Sequence, residues 1–511
     1  MDIVIASVPF TDTIKPLLAP ALLKAQVVKA GFTARTCDLN GELRARILGK
    51  DQSLLGRSEI AVRRPVSQQT HLRSDHDRWK DIIEFYKTGR LATEVAEEIE
   101  SQISYMADRI LEDNPKVVGL SLLTYDCRWA TRWLSWELRR RSPTVDILLG
   151  GSGLFNDGFG ESEFGKEMVA LGICTAWIRG DGDFTLPGWL QGRKVGIGIM
   201  TAEWKQQTNQ ELSKLAMPDY SDYSWDLYGD SPIAIYGSRG CVRACTFCDV
   251  HDIWKKYTWR TGESIFEEMM AMYRRYGRRC FHFQDSLING NIKEYRKLTR
   301  LLSEYNKANP EQRFSWHSFF IIRPQSQFGD EDWKLTAESG AENLMIGVES
   351  LHEPSRYHIG KHFSNADLEY ALAQINKWNK CNETVPIRCS LLMIIGYILE
   401  TQHDQIAIKQ WFRDHAHYKD IVQVVFSPGL GVLANTPLHR RFDELGLRWV
   451  GPDNTDWANK NSDPATRAGW YRELYQLVAK ELGFRTPVGH DNHYILERME
   501  RGKVFDIEDR L

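Results

Sequence analysis

Three cysteines, Cys241, Cys245 and Cys248, fall at C-x3-C-x2-C spacing directly after a short apolar run at 233–236. Thiolates bunched this tightly on one loop can all face a single metal centre. That requirement constrains the fold around it. The loop must leave the end of a rigid element, and the apolar run ahead of it reads as a strand. Two metals compete for it. His251 extends the pattern to C-x3-C-x2-C-x2-H, which can close a four-ligand zinc site of Cys3His type. Alternatively, three thiolates hold three irons of a four-iron cube and leave the fourth iron open to a ligand. The spacing alone leaves both open.

The chain around the loop is long and ordinary in bulk. At 511 residues it has room for about two to four domains. Its net charge of −3 gives no global basic field for nucleic acid or a membrane surface. The longest apolar run, 389–399, is far too short to span a bilayer. The start at Met1-Asp2-Ile3 reads as a strand rather than a leader, so a cytoplasmic location is expected. Nine cysteines, an odd number, then read as reduced thiols, and a cluster of them as metal-binding. The scattered Cys37, Cys127, Cys174, Cys280, Cys381 and Cys389 are expected to be small buried hydrophobes.

Strand and helix patterns alternate along most of the chain. Strands are expected at 2–8, 33–39, 116–123, 145–151 and 175–180, with helices at 16–31 and 126–141. This rhythm predicts a doubly wound parallel α/β sheet over 1–200, with a polar helical insertion at about 41–114. Trp129, Trp133 and Trp136 share one helix face and are expected to pack in its core. Ligands of such sheets gather at the carboxyl ends of the strands, where Ser121, Gly150, Gly151, Gly180 and Gly182 fall. A linker is expected at 201–230. A second series follows, with strands near 233–237, 280–284, 314–321, 344–348, 387–395 and 421–426. Six βα units predict a partial (βα)6 barrel over 231–440. The remainder, 441–511, is expected to be mostly helical, to close the barrel mouth and to shape specificity.

With Phe247 as the aromatic, the loop resembles the C-x3-C-x-aromatic-C motif of the radical S-adenosylmethionine (radical SAM) superfamily. The resemblance extends in order through Arg179-Gly-Asp-Gly-Asp183, Phe283-Gln-Asp-Ser286, Ile346-Gly-Val-Glu-Ser350, Ile359-Gly-Lys361 and Ile395-Gly-Tyr-Ile-Leu-Glu-Thr401. It narrows to the class with an N-terminal Rossmann-like, cobalamin (B12)-binding-type domain. The resemblance implies a 4Fe-4S cluster on Cys241, Cys245 and Cys248, with S-adenosylmethionine cleaved reductively to a 5′-deoxyadenosyl radical. It places Phe247, Gly396 and Tyr397 near the adenine and Asp285 and Ser286 at the methionine ammonium. It further places Glu349 or Ser350 at the ribose and Arg388 at the methionine carboxylate. His251 then becomes a bystander or a substrate contact.

Cobalamin is implied by the class, with contacts expected on loops 8–18, 121–126, 150–156 and 180–183. The D-x-H-x-x-G cobalt-ligand motif is absent. The implied reaction is methyl transfer to an unactivated centre on a small molecule or peptide. An electron donor such as flavodoxin or ferredoxin is expected. Alternatives are radical rearrangement, cyclisation or oxidation without methyl transfer, a methylthiotransferase, or a non-catalytic binding protein. A methylthiotransferase needs three further cluster cysteines, and the surroundings of Cys37, Cys127 and Cys174 do not match that role.

Overall fold

A computed structural model describes residues 1–9, 15–48, 81–82, 84–86, 88–155, 162–192, 208–381, 385–427 and 429–486. The chain divides into two compact units, Met1–Ile235 and Tyr236–Leu511.

The first unit is built on five parallel strands: β1 (Ile3–Ser7), β2 (Ala34–Cys37), β3 (Val117–Ser121), β4 (Asp146–Gly150) and β5 (Ala176–Trp177). Their order is β2-β1-β3-β4-β5. Because β1 and β3 are almost wholly apolar, they occupy the centre, buried on both faces. The chain order reverses between β1 and β3, the topological switch point where such sheets bind ligands. The doubly wound reading therefore holds.

Two expectations change in detail. The stretch 41–114 is not wholly the polar insertion expected, where it is described. Its helix Ala96–Leu111 buries Ile99, Ile103, Met106, Ala107 and Ile110 in the same core as β1 and β3. A β2-to-β3 connection over β1 needs a covering helix, and this one supplies it. Residues 49–80 lie outside the described residues. Likewise, 208–230 is no free linker: Lys24 pairs with Asp219 at 3.2 Å and with Asp222 at 2.6 Å, and Tyr228 donates to buried Asp38. The expected linker residues 201–207 lie outside the description.

The tryptophan stripe also departs from expectation. Helix Cys127–Arg141 buries Ala130, Thr131, Leu134 and Leu138, while Trp133 and Trp136 remain 40% and 51% exposed. Cys127, Ala130, Leu134 and Leu138 take the core face of this helix instead. Trp129 and Trp133 are edged by Gly89 and Phe85.

The second sheet has six parallel strands in sequential order: β6 (Ile233–Ile235), β9 (Cys280–Phe283), β10 (Ser315–Phe320), β11 (Ala341–Glu349), β12 (Arg388–Ile394) and β13 (Val422–Ser427). An antiparallel pair, β7 (Ser238–Arg239) with β8 (Thr258–Trp259), intervenes. Sequential order with helical crossovers is a barrel walk, and six strands leave it open. One face carries the helices. Tyr295, from helix Ile292–Ala308, packs on Trp316 and Phe320 with centroids 6.4 and 5.9 Å apart. Side chains alternate along a strand, so His317 and Phe319 lie on the opposite, concave face.

The region after β13 folds back onto this unit. Helix Pro464–Tyr475 sets Arg467 and Trp470 on Gly396, and Asn459 donates to the Ile398 carbonyl at 2.8 Å. Residues 487–511 lie outside the description. No described helix is long and apolar enough to cross a membrane.

Candidate metal centre

The cysteine loop leaves the carboxyl end of β6 and is held at both its base and its tip. At the base, Asp285 follows β9. Its carboxylate accepts from the Gly237 backbone N–H at 2.7 Å and from the Ser238 hydroxyl at 2.7 Å. Burial outweighs these bonds and pushes Asp285 up to about 7. Arg260 donates its backbone N–H to the Gly237 carbonyl at 2.7 Å, and its guanidinium forms a buried pair with Glu268 at 2.7 Å. At the tip, the Thr246 N–H donates to the Ile359 carbonyl at 2.9 Å, and the Thr246 carbonyl accepts from Leu438 at 2.8 Å. The Tyr397 hydroxyl, fully buried, bridges Thr246 Oγ1 at 3.0 Å and His358 Nδ1 at 2.8 Å. Phe247 packs on the apolar cluster that contains Cys245, Tyr397 and Leu438.

Cys245 is buried, and Cys241 and Cys248 are half-buried. Burial pushes the Cys245 thiol up to about 12, and raises the other two. Lys361 opposes that shift at all three thiols. Its ammonium sits 2.7 Å from Glu349 Oε1 and 2.7 Å from the Gly347 carbonyl. A bulge in the pairing of β11 with β12 at Gly347/Glu349, and a positive φ of 64° at Glu349, turn that carboxylate toward the ammonium. Gly360, at φ 98°, ends helix Glu353–Ile359, and an added Cβ would meet the Ala244 carbonyl at 3.0 Å. That close approach lets Lys361 reach back beneath the loop.

The donor set fits a cluster better than one ion. Ligands of one tetrahedral zinc ion converge on bonds of about 2.0–2.3 Å. Among the described residues, the three thiols do not meet within 4.8 Å of one another. A cube in which each thiolate takes its own iron needs that wider spacing. His251 is also committed elsewhere, with Nε2 2.6 Å from the Arg243 carbonyl. It braces the loop.

The remaining expected contacts separate into groups. Ser286 is half-buried beside Asp285. Ser350 donates to Glu400, a buried carboxyl that also accepts from Gln405 at 2.7 Å and from the Gly396 N–H at 3.1 Å. Burial pushes Glu400 up to about 7. Arg388 is a correction. It is the first residue of β12, exposed, at the amino end of the sheet and away from the cysteine loop. In a parallel strand the first residue lies a strand length below the rim, so Arg388 does not join the group around the thiols. Lys361 and Glu400 went without a role in the sequence reading. The Gly before Lys361 and the buried acid four residues after Gly396 are the signals that mark them.

In the first unit, Ser121 ends β3 and Gly150 ends β4, side by side in register. A Cβ at Gly150 would meet nothing within 4 Å, while one at Gly151 (φ 102°) would strike the Leu122 carbonyl at 2.1 Å. Gly180 (φ 73°) follows β5, and Gly182 opens helix Gly182–Leu190 against Leu23. The edge is flanked by exposed Leu123 and Tyr125. Open space at Gly150 leaves room there for a bound group, and the edge offers no imidazole among the described residues. Residues 10–14 and 156–161 of the expected contact loops lie outside the description. Cys37, Cys127 and Cys174 are buried in the core and so provide no second cluster site. Cys389 is buried too, Cys381 is exposed and Cys280 is half-buried, so the expectation of buried thiols fails at the last two.

Comparison with known proteins agrees with this geometry. Residues 235–410 match the Radical SAM superfamily model. The whole chain has the fold of the radical S-adenosylmethionine methyltransferase TsrM from Kitasatospora setae, with a TM-score of 0.62 and 15% identity over 98% of this chain and 96% of that one. The cobalamin-dependent S-adenosylmethionine radical enzyme OxsB gives a TM-score of 0.59 at 13% identity, over 92% of this chain and 66% of that one. Two curated relatives match parts of the sequence. Cytidylyl-2-hydroxyethylphosphonate methyltransferase of Streptomyces wedmorensis is 28% identical over 155 residues, 27% of each chain. The anaerobic magnesium-protoporphyrin IX monomethyl ester cyclase of Synechocystis is 23% identical over 248 residues, 45% of this chain and 46% of the relative. The chain thus matches less than half the length of either.

Proposed function

We propose that this protein is a cobalamin-dependent radical SAM methyltransferase. The observation that carries the reading is the three-thiol loop, clamped at the carboxyl rim of the open six-stranded sheet, with Lys361 acting on all three thiols. Cys241, Cys245 and Cys248 hold a 4Fe-4S cluster, which when bound supplies the electron that cleaves S-adenosylmethionine to a 5′-deoxyadenosyl radical. Lys361 favours the thiolate forms. Asp285 fixes the strand end from which the loop departs, and the Tyr397 hydroxyl fixes its tip. Glu349, Ser350 and Gly396 line the neighbouring rim, where nucleoside and methionine groups would be held. The Ser121, Gly150, Gly151, Gly180 and Gly182 edge takes cobalamin without a described imidazole. The substrate is a small molecule or peptide carrying an unactivated centre, and an electron donor such as flavodoxin or ferredoxin supplies the electron.

Anaerobic reconstitution tests this reading. It expects about four irons per chain, 5′-deoxyadenosine under reductant, and a corrinoid spectrum after incubation with cobalamin. A colourless protein holding one zinc on the loop overturns the cluster assignment. Cluster and cleavage without corrinoid binding favour the second reading, radical chemistry without methyl transfer, which the likeness to the cyclase supports.

A further inference from the structure

The sheet of the second unit carries another metal-ligating group at its opposite end. Cys280 opens β9, His317 is the third residue of β10 and Glu342 the second of β11. These are three adjacent parallel strands. Cys280 Sγ lies 3.8 Å from His317 Nε2 and 3.9 Å from Glu342 Oε2, and His317 Nε2 lies 2.8 Å from Glu342 Oε2. The ligand atoms of the three all fall within 4.8 Å of one another, the sole such trio of His, Cys, Asp or Glu among the described residues.

We propose that Cys280, His317 and Glu342 form a mononuclear site for a zinc-class divalent ion, separate from the cysteine loop. A triangle with sides of 3.8, 2.8 and 3.9 Å has a circumradius of about 2.1 Å, within the range of zinc bonds to sulfur, nitrogen and oxygen. An ion therefore needs only sub-ångström adjustment of the side chains. One thiolate, one imidazole and one carboxylate form a borderline-soft set. It suits zinc or ferrous iron and disfavours magnesium and calcium, which take oxygen ligands.

The charges also close. A thiolate, a carboxylate and a divalent cation sum to zero beside a neutral imidazole, and the Arg388 guanidinium of the next strand also favours the ionised form of Glu342. Binding displaces the thiol proton of Cys280 and the proton shared by His317 and Glu342, and both leave to solvent. Because the ligands sit on strands rather than loops, their spacing is fixed before the ion arrives. His317 lies on the concave face, opposite Trp316, which is packed against the helices. Three protein ligands on that face leave a fourth position for water or for an oxygen or nitrogen donor of a bound molecule. The proposal does not rest on the cluster reading.

The test uses the full chain, purified anaerobically with its iron–sulfur site reconstituted, given one equivalent of zinc and desalted. Metal analysis is expected to return about one zinc per chain. X-ray absorption at the zinc edge is expected to show one sulfur with nitrogen and oxygen neighbours. No retained zinc overturns the proposal. So does a zinc shell of two or more sulfurs, which would place the ion on the cysteine loop. Cys280→Ser and Glu342→Gln are expected to lower zinc affinity by more than the ~10–100-fold that loss of an outer-shell partner costs, with iron content unchanged. Undiminished affinity in both variants also overturns it. Should either variant fail to fold, the absorption spectrum of the unaltered chain decides.

Discussion

The two ends of the six-stranded sheet handle cysteine in opposite ways. At the carboxyl rim, three thiols within one loop stand apart from one another, and backbone hydrogen bonds, Tyr397 and Asp285 hold the loop in shape. At the amino end, one thiol meets an imidazole and a carboxylate drawn from three strands, separated in sequence by 37 and 25 residues. A loop can space its donors to suit a cluster because its backbone bends freely between anchors. Strands hold a fixed lateral spacing of about 4.8 Å, which suits donors converging on one ion.

The strongest way to break this contrast is Cys245→Ala. Complete loss of the iron cluster and of 5′-deoxyadenosine formation is expected, with zinc retained at the amino end. Simultaneous loss of zinc would mean that the two sites are one system. Next is Lys361→Met, which leaves Glu349 buried without its cation. A loss of about 3 kcal/mol is expected in urea unfolding of the cluster-free protein. An unchanged midpoint would show that the ion pair is dispensable to the rim.

A third prediction concerns pH. Glu400 ionises near 4.5 when exposed, and burial raises it to about 7 in the fold. The folded state therefore holds the proton longer than the unfolded state. The contribution is fully present below about 4.5, declines as pH rises to about 7 and is level above, a total of about 3 kcal/mol. Asp285, raised to about 7, adds a decline of the same sign. Glu400→Gln is expected to roughly halve the combined fall in unfolding free energy between about pH 4.5 and pH 7, as read from urea titrations. An unaltered slope would mean that the carboxyl is ionised in the fold. The smallest effect is expected from Arg388→Ala. Stability should change by less than about 0.5 kcal/mol, and S-adenosylmethionine affinity by isothermal titration should not change. A large loss of affinity would return this residue to the rim.

Much of the framework was legible in the sequence because buried parallel strands are short apolar runs bounded by glycine and polar turns. All six strands of the second sheet fall where that pattern puts them. The cysteine loop was legible because its donors are neighbours in sequence. Arg388 was misassigned because sequence places a residue in a strand without showing that the ligand side is the other end. The tryptophans of helix Cys127–Arg141 were misread for a related reason. Their spacing defines a face, but Cys127, Ala130, Leu134 and Leu138 define another, and it is this second face that is buried.

By itself the sequence determined the alternation of elements, the order of the two sheets and the position of the thiol loop after a strand. These depend on local periodicity and on near neighbours along the chain. Only the tertiary structure decided that His251 braces the loop, that Lys361 lies beneath it, and that Cys280 meets His317 and Glu342. Each of these depends on side chains from separate strands and turns approaching within a few ångströms. Such an approach is fixed by strand register and packing, which the one-dimensional pattern does not encode.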